Sequence, residues 1–153
     1  MKYLYRGECE DLFQMRNGKL FPKKPYEKFA GYACAGAQHV VCGSGVQFGE
    51  SDLNTVIQHQ WAQAGIPTSG ISSSPHMDRA KFYALIGGDA KKGYIFKLSV
   101  ELLRECGVSI YRVNDWVPNP AVPQDDEHVL VAWDFGQIPE SAIVEVMAIK
   151  NGI

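Results

Sequence analysis

Three places in the chain carry side chains able to do chemistry: Arg6 within Tyr5-Arg6-Gly7, the hydroxyl run Ser72-Ser73-Ser74, and the carboxylate run Asp125-Asp126-Glu127. A guanidinium keeps its charge at any relevant pH and offers a planar fork of donors, so Arg6 suits the oxygens of a phosphate. The plainer alternative is a surface ion pair with Glu8 or Glu10. Among the hydroxyls, Ser74 is expected to cap a helix whose first position is Pro75. That leaves Ser72 and Ser73 at the end of an apolar strand, where each needs a ligand or a polar partner. The carboxylate run stands directly before an apolar stretch, and on its own reads as a solvated acidic turn. A serine nucleophile, Ser73 with His76 or His128, ranks last because the GxSxG elbow is missing.

The elements that must position these groups follow from periodicity. Residues 2–6 (KYLYR) alternate as a short strand that ends at Arg6, and Gly7 then allows a turn or a close approach. Residues 12–29 are polar and turn-rich, with Asn17-Gly18, Pro22, Pro25 and the lysines 19, 23 and 24 excluding a long regular element. Residues 29–48 fit either a short helix with a loop or two short strands, and His39 within them is read as structural. Leu53, Val56, Ile57 and Trp61 recur at helical spacing between Ser51 and Gly65, which predicts an amphipathic helix over 51–64. The serine strand leads into a helix carrying Ala80, Phe82, Tyr83 and Ala84, with both aromatics assigned to the core. Strands are predicted over 93–100, 108–113, 128–133 and 142–149, a short helix over 99–106, and an extended proline loop over 116–124.

With 153 residues, 46% of them hydrophobic, the chain has the material for one core, and a single domain over 1–153 is expected. A net charge of −2 gives no overall positive field, so nucleic acid is not an expected partner. The first residues lack the continuous apolar run of a secretory signal and no stretch is long enough to span a bilayer, so a soluble chain is expected. Cys9, Cys34, Cys42 and Cys106 have no CxxC spacing, which disfavours a zinc site; free thiols are the default, and a Cys34–Cys42 bridge stays open.

Taken together, these segments resemble the ADP-ribosyltransferase superfamily. Ser72-Ser73-Ser74 with Ala80 and Tyr83-Ala84 behind it is similar to the superfamily's Ser-Thr-Ser motif, and Tyr5-Arg6-Gly7 to the arginine sequence of its first strand. Glu127 resembles the glutamate that precedes a late strand, and Asp125 stands at the acceptor-recognising position two residues earlier. The order Arg6, Ser72, Glu127 is that of the Arg-Ser-Glu branch. Two departures stand out: Asp125 replaces the usual Gln or Glu, and the apolar pair starts one residue late, after His128.

The resemblance implies an α+β fold, a split β-sandwich of two small mixed sheets with flanking helices around an NAD cleft. It implies a mono-ADP-ribosyltransferase that takes NAD as substrate, uses no metal, and passes ADP-ribose to a macromolecular acceptor, a protein with arginine hinted at by Asp125, or to water. Arg6, Gly7, Ser72 and Ser73 would hold the dinucleotide, Ser72 would orient Glu127, and Glu127 would stabilise the positive charge that builds on the ribose. Many relatives are bacterial toxins or effectors, which implies a chain that either acts in the cytoplasm where it is made or is delivered into a target cell by separate machinery, with a cognate inhibitor as a possible further partner. A binding or inhibitor module that keeps the fold without turnover is the reading of another class.

Overall fold

The computed structural model describes residues 1–23, 25, 69–116 and 122–152. The expected helix over 51–64, the open stretch 29–48 and Lys24 lie outside the described residues.

The fold is α+β, with two three-stranded sheets among the described residues. In the first, the long central strand β3 (Lys92–Ser99) lies between β1 (Tyr3–Cys9) and β6 (Ile143–Lys150). In the second, β5 (His128–Val131) lies between β2 (Ile71–Ser73) and β4 (Ser109–Arg112). Every strand pairing among the described residues is antiparallel, in place of the mixed sheets expected. Among the described residues four short α-helices accompany them: α1 (Glu10–Met15), α2 (Met77–Ala84), α3 (Val100–Glu105) and α4 (Val113–Trp116).

Register explains where the core sits. Leu4 pairs with Leu98 and Arg6 with Phe96, so these four side chains share one face of the first sheet. In the second sheet Ile71, Leu130 and Ile110 lie in line across the strands. Leu4, Phe96, Leu98, Ile71 and Leu130 belong to one buried cluster, joined by Leu103 from α3 and by Ile138. Each such side chain contributes about 1.5–3 kcal/mol on burial. The other face of the first sheet is covered by α2, through Ala80 and Ala84 against Ile95. That helix lies so close that a Cβ on Gly7 would come 1.9 Å from the Ala80 carbonyl oxygen, and one on Gly93 2.3 Å from that of Ala84. The close approach foreseen at Gly7 is therefore a helix contact.

Several expectations change. Arg6 lies inside β1, because the strand runs on to Cys9 opposite Gly93. Helix α1 occupies part of the region read as irregular, with Glu10 and Asp11 in its first turn, where negative charge suits the free N–H groups. Ser74 is not the cap of α2: the helix starts at Met77 after His76, and Pro75 precedes it by two residues. Phe82 and Tyr83 are each 45% exposed instead of being core residues. The short helix α3 does have the expected start, with Ser99 Oγ accepting from the Leu102 N–H at 3.2 Å. No helix among the described residues is long and apolar enough to cross a membrane.

Candidate functional site

The two sheets meet edge to edge at one residue pair. The Tyr5 N–H donates to the Ser74 carbonyl at 2.7 Å and the Ser74 N–H to the Tyr5 carbonyl at 2.9 Å. From this bridge β1 and β2 part, and a cleft of about 330 Å³ lies along them. Arg6, Glu8, Ser72, Ser73, Tyr83 and Asp125 are among the residues lining it. Strands separated by 66 residues in sequence thus bring the arginine and the serine run to one place.

Arg6 reaches across the gap and donates from Nη1 to the Ser72 carbonyl at 3.2 Å. Its Nε faces Glu8 at 3.7 Å, so of the two carboxylates foreseen as partners it is Glu8 that pairs. Glu10 lies instead 3.9 Å from Lys92. Glu8 is buried at 1% exposure and also lies 3.6 Å from Arg16, whose guanidinium donates to the carbonyls of Phe21 and Pro22. Neither Glu8 oxygen has a hydrogen-bond donor among the described residues. Burial therefore pushes its pKa above the ordinary value, and the attraction of Arg6 and Arg16 only partly opposes this. Burial likewise lowers that of Arg16.

The serines divide their roles. Ser73 Oγ donates to the His128 carbonyl at 2.7 Å, directly across the β2–β5 ladder. Ser74 Oγ donates to the Asp125 carbonyl at 2.6 Å and accepts from the His76 N–H at 3.0 Å, which makes it a tie between the strand and the acidic turn. Ser72 is opposite Val129. Glu127 stands just outside β5, between His128 and the left-handed Asp126. Glu127 is buried, its carbonyl accepts from the Val113 N–H at 2.9 Å, and it does not itself line the cleft.

The acidic turn is organised, not solvated. Pro123–Asp125 form a 3-10 turn and Asp126 follows in the left-handed region with φ 46°. Asp125 is buried, and both its carboxylate oxygens are taken: Oδ1 accepts from Arg79 Nε at 2.6 Å and Oδ2 from the Tyr83 hydroxyl. Burial first, and the Asp125 carboxylate second, push the Tyr83 phenol up to about 12. Asp126 accepts from Arg112 Nε at 2.7 Å, and its carbonyl meets His128 Nδ1 at 2.6 Å.

Sequence reasoning missed Arg79, Tyr83 and Arg16 as members of the site. Arg79 and Tyr83 were visible as an i, i+4 pair on one helix face, but the partner they share lies far along the chain. Among the described residues no group of three or more His, Cys, Asp or Glu side chains is arranged to hold a metal ion. Comparison with protein-family models and with curated proteins returned no match.

Proposed function

We propose that the chain is an NAD-dependent mono-ADP-ribosyltransferase of the split-sandwich type, with the cleft between β1 and β2 as its dinucleotide site. The observation that carries the reading is the Arg6 guanidinium bonded to the Ser72 carbonyl across two parted sheet edges, with Glu127 buried immediately before β5, the strand paired with the serine strand. The order of the three residues along the chain and the meeting of Arg6 with the serine run at one cleft are independent facts that support the reading, with Glu127 buried behind the lining.

In the reaction proposed, the bond between the ribose anomeric carbon and the nicotinamide nitrogen breaks. The electron pair leaves with nicotinamide, and the ribose becomes oxocarbenium-like. Glu127 as a carboxylate stabilises that charge more in the transition state than in the ground state. Arg6 holds the diphosphate, Ser72 and Ser73 edge the nicotinamide end, and the acceptor nucleophile bonds to the anomeric carbon while its proton passes to solvent. Gly7 serves the site through its helix contact, since the space a side chain would fill belongs to Ala80.

Hydrolysis of NAD is the second reading, and Asp125 favours it. A carboxylate already accepting from Arg79 and Tyr83 has little capacity left for a cationic acceptor. The test is nicotinamide release from NAD by the parent and by Glu127→Gln, with and without protein extract as acceptor. Release by the parent and a loss of about 10²–10³-fold in the variant is the expected outcome. Failure of the parent to release nicotinamide under either condition would sink the enzyme reading in favour of a binding module.

A further inference from the structure

We propose that Arg79 and Tyr83, acting together on Asp125, are the positioning residues for the turn that carries Glu127, so that α2 sets where the reacting carboxylate sits. The inference rests on Glu127 having the role given above. It reassigns Asp125 from acceptor recognition to positioning.

The turn needs outside support, since Asp126 takes a left-handed conformation that non-glycine residues adopt at a cost. Support comes from two sides. On one, the Asp125 carbonyl is tied to Ser74 and its two carboxylate oxygens to Arg79 and Tyr83. On the other, Asp126 is tied to Arg112 at the end of β4 and to His128. Glu127 follows directly, with its carbonyl fixed by Val113.

Arg79 and Tyr83 stand one helical turn apart, so one face of α2 presents both donors in a fixed spacing. The Arg79 guanidinium also lies over the Phe82 ring at 4.7 Å and the Tyr83 ring at 5.7 Å, which limits its orientations. The helix is seated against the backbone of β1 at Gly7, the neighbour of Arg6. A rigid path therefore runs from the strand holding Arg6, through α2 and Asp125, to Glu127. The distance between the phosphate-binding and the charge-stabilising groups is set along it. A bare surface ion pair would not require both oxygens of a buried aspartate to be engaged from one helix.

The test uses the full chain and three variants, Tyr83→Phe, Arg79→Ala and Arg79→Lys. Two quantities are read: kcat and KM for nicotinamide release from NAD, and amide hydrogen exchange at Asp126, Glu127 and His128. Tyr83→Phe keeps the ring and removes one bond. It is expected to lower kcat about tenfold with KM nearly unchanged, and to speed exchange at those amides, as a small misplacement of a reacting group does. Arg79→Ala is expected to do more, and Arg79→Lys to recover part of the loss. Exchange at parental rates in Tyr83→Phe and Arg79→Ala, or a kcat equal to the parent's, overturns the proposal. Should the parent release no nicotinamide, the enzymatic reading falls by itself, and the proposal with it as regards catalysis, while exchange still decides whether α2 holds the turn.

Discussion

At the residue scale, the unusual group is Glu8, a buried carboxylate flanked by two guanidiniums at ion-pair distance without a hydrogen-bond donor on either oxygen among the described residues. Its pKa is raised from 4.5 chiefly by burial, so the fold favours its neutral form. The stability linked to Glu8 is therefore fully present below its ordinary value and declines as pH rises through the raised one. Glu8→Gln should raise the urea midpoint at pH 7 and leave it nearly unchanged at pH 4, because Arg6 and Arg16 retain main-chain acceptors. A lower midpoint at pH 7 would mean that the ion pairs outweigh burial. Tyr83 offers a second check. Its phenol, pushed up to about 12, should titrate closer to 10 in Asp125→Asn, read as alkaline ultraviolet difference spectra against Tyr83→Phe. Sequence made Arg6 and the serine run legible as polar groups set among apolar strand residues, and both line the cleft. It left Glu8 as a surface partner, since burial of a residue two places along a strand depends on what covers the sheet.

At the scale of elements, the strands were legible and the helix contacts were not. The alternation in 93–100 corresponds to β3 shifted by one residue, and the closing strand 142–149 to β6 shifted by one. Local pattern decides such strands. The start of α2 was misjudged because the Ser74 hydroxyl serves the distant Asp125 carbonyl, a tertiary competitor that no local rule contains. Phe82 and Tyr83 were misjudged for a related reason: the buried face of α2 consists of the small residues Ala80 and Ala84, which let the helix sit on Gly7 and Gly93. Gly7→Ala should then cost about 3 kcal/mol through overpacking, measured by urea unfolding. A cost near zero would show that α2 can lift off the sheet freely. Gly88→Ala offers a comparison, since an added Cβ there meets nothing within 4 Å and leaves only the cost of its positive φ.

At the scale of the whole molecule, the two sheets are separate ladders with one shared core, and Phe96 and Leu130 face each other's sheets within it. Phe96→Ala should lower stability by about 3–5 kcal/mol in urea unfolding. A loss confined to the first sheet, with the hydrogen exchange of β5 unaffected, would mean that the two sheets unfold independently. The coarse architecture was readable because it needs only the count and order of strands; the antiparallel pairing throughout was not, because pairing partners lie scores of residues apart. The bridge between Tyr5 and Ser74 has a mechanical meaning as well. Two sheets pinned edge to edge at this pair, with a common core behind them and α2 tied to both, keep the gap at a set width. At about 330 Å³ that gap lies at the small end of ligand pockets, and Glu127 stays outside its lining. Under the proposed function a dinucleotide would enter a largely preformed site, so its association should respond little to stiffening of the two sheets.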